Sequence, residues 1–237
     1  MARSFDESRG KSLSVASSGV PVGEILMPLL GVTLIAALGW QYTFLVISLF
    51  LLVLVLPAMR LLLRVARLPE LPESQGTDVA IAQRPGQVRK MLLSDRRYWL
   101  ALPGLMAPPF IVTGVFIHQD FVISSQSWTQ EWFATCFVIY GVVHWATSIM
   151  VGTLVDRFSA VRLMPFYLLP MALGLFALAF MSGLWVAVLL MVLMAMTVGS
   201  IPAVIGALWP EVYGVEHLGT IRSVNMAIAV FATSLSP

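Results

Sequence analysis

Seven runs of predominantly apolar residues follow one another along this chain, at roughly 13–38, 42–59, 99–118, 131–151, 163–181, 184–208 and 223–237. A helix needs about twenty such residues to cross the hydrocarbon core of a bilayer, and the first six runs reach or approach that length. The last ends at Pro237 after about fifteen residues, short of a full crossing. The runs are continuous rather than alternating with period two, which excludes a transmembrane barrel. Of the 237 residues, 59% are hydrophobic and 11% charged, whereas a soluble domain carries about 25% charge to wet its surface. The expected fold class is therefore all-α, a polytopic transmembrane helix bundle of about seven spans, with the lipid bilayer as its main partner.

The basic residues orient that bundle. Arg3, Arg9 and Lys11 precede the first run, and eight more, from Arg60 to Arg97, lie between the second and third. Arg157 and Arg162 follow the fourth run, and Arg222 follows the sixth. The alternate connections, "GWQ", "QDFVISSQSWTQE" and "MSG", carry no Lys or Arg. Cytoplasmic loops attract basic residues, so the N-terminus is expected inside the cell membrane, or the inner membrane of a Gram-negative bacterium. The polar start lacks the pattern of a cleaved signal peptide. A net charge of +2 calls for no nucleic-acid partner. The single cysteine, Cys136, excludes an intrachain disulfide and a CxxC metal site.

The long polar stretch divides the chain into residues 1–59 with two spans, a cytoplasmic linker at 60–98, and residues 99–237 with five spans, the last truncated. The linker contains proline and mixed charge, which suits an extended connection with a short surface helix.

Polar residues inside a span are costly and usually face the bundle interior or a watery cavity. Glu24 is the strongest candidate, either as a proton-coupling or substrate-binding group or as a carboxyl bonded locally near the interface. Gly19 and Gly23 beside it form a small-residue face suited to packing another helix. The third span holds Pro103, Pro108 and Pro109, which predict a break with Thr113 just beyond it and His118 and Gln119 at the outer end. In the fourth span Cys136, Tyr140, His144 and Ser148 recur every four residues and share one helix face. That stripe either lines a path or bonds to a neighbouring helix, and His144 is its candidate for protonation. No further His, Cys or carboxylate stands at ligand spacing, so neither a metal nor another cofactor is expected. The sixth span carries Thr197, Gly199 and Ser200, another site for close approach to a solute or a neighbouring helix. Trp40, Trp99, Trp128, Trp132 and Trp209 fall near expected interfaces and read as anchors.

One short charged segment interrupts the apolar sequence. "GTLVDRFSAVR", Gly152 to Arg162, falls in the turn between the fourth and fifth spans. It resembles the loop motif of the major facilitator superfamily, G-x-x-x-D-R-x-G-R-[RK]. Gly152, Asp156 and Arg157 match, Arg162 stands in for a later basic residue, and Ser159 and Val161 replace the second glycine and a basic position. Gly152 permits close helix approach, and Asp156 is expected to cap a helix end or pair with an arginine.

The resemblance extends along the chain. "RGKSLSVASSGVPVGEILMPLLGVTLIAALGWQYTF" is similar to that family's fifth helix, "DRRYWLALPGLMAPPFIVTGVFIHQDF" to its seventh, and "PEVYGVEHLGTIRSVNMA" to the loop before its eleventh. The nearest flavour is the monocarboxylate-porter-like branch. The resemblance implies a partial fold of this family, a fragment running from the end of helix four to within helix eleven. It also implies secondary active transport of a small solute by alternating access, with protons as a coupling ion and the Asp156 loop as a latch between two halves. No Lys or Arg lies deep in a span, so an organic anion would need His144, His118 or helices not in this sequence as countercharge. Two alternatives stand beside this reading. An integral membrane enzyme would rest on Glu24 and His144 as its one titrating pair, and no paired motif supports catalysis. An inserted chain without transport activity would share every feature above.

Overall fold

The computed structural model describes residues 19–65, 85–214 and 218–236, and those residues are helical nearly throughout. The expected residues 13–18 of the first span, the linker's 66–84 and the loop residues 215–217 lie outside the described residues. The described helices are α1 (Gly19–Phe50), α2 (Leu56–Val65), α3 (Pro85–Ser94), α4 (Arg96–Ile117), α5 (Gln119–Ser125), α6 (Gln130–Phe158), α7 (Ala160–Leu163), α8 (Leu169–Phe180), α9 (Leu184–Tyr213) and α10 (Leu218–Ser234). A π-helical stretch, Leu51–Val55, joins α1 to α2.

Two compact units divide the chain. One comprises the described residues of Met1–Leu26 and Gln83–Pro237, the other those of Met27–Ala82. The second unit is an apolar helical path whose side chains stand exposed, among them Phe44, Leu52, Val53 and Leu61. Exposure on that scale needs acyl chains as its solvent. The path leaves helical geometry only at Gly39 (φ 78°, ψ 163°), inside the expected "GWQ" connection. Glycine alone adopts that backbone without a Cβ penalty, and the Thr43 hydroxyl donates to the Gly39 carbonyl at 2.9 Å.

Four helices among the described residues are long and apolar enough to cross a bilayer: Leu30–Leu61, Arg96–Ile117, Gln130–Phe158 and Leu184–Tyr213. The sequence predicts seven spans, and four of them differ for identifiable reasons. The first two form one helical run broken at Gly39. The fifth keeps only the twelve residues of α8 as helix, because Pro165 and Pro170 lie in and just after a turn-rich entry at 164–168. The seventh becomes α10, which starts at Leu218 and so takes Arg222 into the helix rather than leaving it in a loop.

In the first unit, α6 and α9 form the central pair. Phe133, Cys136 and Tyr140 of α6 pack with Val186, Leu190 and Met194 of α9 in one buried cluster. Val155 of α6 packs with Val204, Leu208 and Trp209 of α9 in another. Residue numbers rise together along both helices, so the two run side by side in the same direction. Between the clusters lie the buried polar residues His144, Thr147, Ser148, Thr197 and Ser200. A polar layer is thus enclosed between two apolar ones.

The expected break in α4 does not occur. Asp95 caps its start by accepting from the Arg97 N–H at 2.8 Å, and the helix runs through all three prolines to Ile117. Pro108 has no N–H for the Gly104 carbonyl four residues earlier, and the Tyr167 hydroxyl donates to that carbonyl instead. A neighbouring side chain satisfies the freed acceptor and the helix continues.

Two of the expected tryptophan anchors are staples. The indole N–H of Trp128 donates to the Gly183 carbonyl and that of Trp132 to the Leu184 carbonyl, each at 3.1 Å. Both fasten the start of α6 to the α8–α9 turn. Trp209 is buried between the rings of Tyr98 and Tyr213, whereas Trp40 and Trp99 stand exposed.

Candidate functional site

The α6 stripe faces inward along its whole length. Cys136, Tyr140, His144 and Ser148 are all at most 5% exposed, so their four-residue spacing marks an interior face rather than a lipid-facing one. Opposite His144 stands Glu24 in the first turns of α1, with Nδ1 of the imidazole 2.6 Å from its carboxylate oxygen Oε2. That is the length of a charge-assisted hydrogen bond, and it joins residues 120 apart in sequence. It is the one carboxylate–imidazole contact among the described residues. The Glu24 side chain remains 28% exposed while that of His144 is 7% exposed. The pair therefore has a closed side and an open side.

Tyr140 lies one turn before His144, the two rings 6.0 Å apart and nearly perpendicular. Phe116 of α4 meets Tyr140 edge-on at 6.2 Å, which brings α4 to the same wall. On α9, the Ser200 hydroxyl donates to the Met196 carbonyl at 2.6 Å within its own helix. Thr197 accepts the Met171 N–H at 3.1 Å, satisfying a donor in the first turn of α8 that has no helical acceptor.

Of the sequence-predicted site residues, the structure brings Glu24, Tyr140 and His144 together, with Ser200 in the same polar layer. Thr113 is half-buried on α4 and makes none of these contacts. His118 is exposed and Gln119 half-buried at the α4–α5 junction. Gly19 and Gly23, expected to pack a neighbour, have no atom within 4 Å of where a Cβ would stand. The close approach comes instead from Gly141 of α6, where a Cβ would overlap Ile25, and from Gly199 of α9, where it would lie 2.6 Å from the His144 carbonyl oxygen. Glycines inside apolar runs were the available signal for both. Their partners were not visible from sequence.

The charged turn has a different organisation from the one its sequence suggests. Gly152 is buried within α6, while Asp156, Arg157 and Arg162 are exposed. The Arg157 guanidinium sits over the neighbouring Phe158 ring at 5.4 Å. Asp156 is in the last turns of α6, at the negative end of the helix dipole, and makes no ion pair among the described residues. The working carboxylate is Glu211, near the end of α9. It accepts from the Ser159 hydroxyl at 2.6 Å, the Ala160 N–H at 3.0 Å and the Val161 N–H at 3.3 Å. Ser159 itself has φ 77°, a conformation that favours glycine, and it occupies the position where the loop motif has its second glycine. The acid after Pro210 in "WPEVYG" was the signal for Glu211.

At the same end of the unit, Asp95 accepts from the Arg97 N–H and from the Tyr213 hydroxyl at 2.8 Å. These two donors, the backbone one first, hold its carboxyl below its ordinary range. The Tyr98 hydroxyl donates to Asn225 Oδ1 at 3.0 Å and ties α4 to α10.

The Major Facilitator Superfamily model matches residues 1–237, the whole chain. No curated protein and no solved structure matches it.

Proposed function

Because this chain belongs to the major facilitator superfamily of membrane transporters, we propose that it moves its solute by alternating access and couples that movement to protons at the Glu24–His144 contact. The family assignment carries the coarser statement, that the chain is a multi-pass membrane protein of a solute-transporting family. The finer reading rests on one observation. The sole carboxylate–imidazole pair among the described residues lies in a polar layer enclosed between two apolar clusters, with the carboxylate side still accessible.

A carboxylate and an imidazole each carry an exchangeable proton. Adding or removing one proton changes whether they attract. An attraction that depends on a proton, between an early helix and a later one, supplies the differential free energy that biases two conformations. The chain's division into residues 1–59, a linker at 60–98 and residues 99–237 belongs to the same proposal. Glu24 then comes from the first half and His144 from the second. The orientation with the N-terminus cytoplasmic, supported by the one-sided Lys and Arg, places the Ser159 turn and Glu211 on the inner face of the cell membrane. Tyr140 and Ser200 are proposed as solute-facing groups of the same layer. Thr113, His118 and Gln119 are left as outer-path groups, and the branch resemblance as a guide to the solutes worth trying first.

The test is uptake of a labelled panel of small organic solutes by proteoliposomes holding the protein and an internal pH-sensitive dye. Proton-driven accumulation with matching internal acidification is expected. Accumulation indifferent to the imposed pH gradient would remove proton coupling from the proposal.

A further inference from the structure

Two glycines flank His144 and leave no room for a side chain. A Cβ on Gly141 would overlap Ile25 Cγ1, stand 3.1 Å from Ile25 Cδ1 and stand 3.1 Å from the Pro21 carbonyl oxygen. A Cβ on Gly199 would stand 2.6 Å from the His144 carbonyl oxygen and 3.2 Å from its Cδ2. Pro21 and Ile25 are one turn apart on α1 and bracket Glu24 in sequence. Gly141 is three residues before His144 on α6, on an adjoining part of the same helix surface. The backbone of α1 therefore presses on α6 at the level where Glu24 meets the imidazole. On α9, Gly199 lets that helix press against α6 at His144 itself. Gly19, Gly23 and Gly206 have open space at the equivalent position, so tight clearance is not a general property of these helices.

We infer that Gly141 is a positioning residue for the Glu24–His144 contact: its missing side chain sets how near α1 approaches α6, and so whether the carboxylate reaches the imidazole. This rests on the proposed coupling role of the pair, and its geometric content stands apart from that role. A hydrogen bond at 2.6 Å weakens steeply as its heavy atoms separate and is gone by about 3.6 Å. A displacement of α1 by about one methyl group's width thus separates the partners. The other titratable groups on this face are Tyr140 and Cys136, both on α6 itself; among the described residues α9 offers only Thr197, Gly199 and Ser200 at this level. No second carboxylate or cation is at hand to take over from Glu24.

The experiment uses the whole protein, histidine-labelled with ¹⁵N, in lipid nanodiscs. The probe is the Nδ1 proton of His144, assigned by its loss in His144→Ala and strongly deshielded when shared with a carboxylate. Gly141→Ala is expected to lose that signal and to titrate as Glu24→Gln does. Ile25→Ala alone is expected to keep it. The double variant Gly141→Ala with Ile25→Ala is expected to regain it, because the overlapping atoms are those of Ile25, and the Pro21 carbonyl needs to yield only a few tenths of an ångström. Proton-driven uptake should fall about tenfold to a hundredfold in Gly141→Ala, as misplacing a working group by about 1 Å does, and recover in the double variant.

Retention of the signal in Gly141→Ala overturns the inference. So does a folded double variant that lacks it. If Gly141→Ala does not accumulate, the double variant decides alone: recovery of protein and signal supports the inference, and recovery of neither, or of protein without signal, sinks it. If the signal behaves as expected while Glu24→Gln transports normally, the coupling proposal fails and the positioning role of Gly141 stands.

Discussion

The polar layer at His144 and the turn at Ser159 each recruit one carboxylate from far along the chain, and they use it in different ways. Glu24 meets an imidazole nitrogen whose donor or acceptor role depends on the tautomer. Glu211 accepts from a serine hydroxyl and two backbone N–H groups. In the proposed mechanism the first contact, which sits between apolar clusters, is the one that a proton or a polar solute changes. The second is anchored to donors of fixed character at an exposed end of the bundle, so it holds one geometry. A carboxylate's partner, more than its own chemistry, decides whether it works as a switch or as a fastening.

The largest effect that sharpens this contrast is expected from Glu24→Gln and His144→Ala. Each removes a charge-assisted bond worth about 1.5–3 kcal/mol, which is about tenfold to a hundredfold in proton-driven uptake. Membrane insertion, read by fractionation and protease protection, should be unchanged. Normal uptake in both variants removes the pair from the mechanism.

Glu211→Ala should act on stability instead. Loss of a capping acceptor costs about 0.5–2 kcal/mol, visible as a lower unfolding temperature in detergent, with the pH profile of uptake retaining its shape. The contrast breaks if Glu211→Ala flattens that profile as Glu24→Gln does.

A smaller pair of effects tests the turn itself. Ser159→Gly relieves a positive φ, worth about 1 kcal/mol, but gives up the hydroxyl bond to Glu211, so its stability should stay within about 1 kcal/mol of the parent. Ser159→Ala keeps the strain and loses the bond, and should unfold at a lower temperature than either. Equal stability of the two variants would show that the backbone at Ser159 is not strained.

The smallest effect lies at Asp95. Its carboxyl is held below the ordinary value of 3.8 by the Arg97 N–H and then by the Tyr213 hydroxyl. A lowered folded-state pKa contributes stability that is fully present above the unfolded value and fades as pH falls below it. The stability gap between the parent and Asp95→Asn, followed by thermal unfolding, should be constant from pH 7 down to about 5 and narrow below about pH 4. A gap that widens on acidification reverses the sign and refutes the assignment.

Particular residues show how far the sequence reached. The four-residue recurrence of Cys136, Tyr140, His144 and Ser148 identified an interior face correctly, because helical periodicity is a local property. Gly39 was legible as a break for the same reason. Asp156 lies in the last turn of α6 as its motif suggested, and the acid that holds the following turn is Glu211, supplied by another helix. The three prolines of α4 suggested a broken helix, and the Tyr167 hydroxyl, 63 residues away from Gly104, removed the need for a break.

What the one-dimensional chain determined is its solvent, its helical class and the placement of its basic residues between spans, since each follows from composition and period within a window of about twenty residues. What only the folded molecule decided is which polar groups meet. Lipid rewards any apolar surface equally and so does not choose neighbours. That choice falls to close packing at positions such as Gly141 and Gly199, and to polar groups with no water to satisfy them, which must find one another across the bundle.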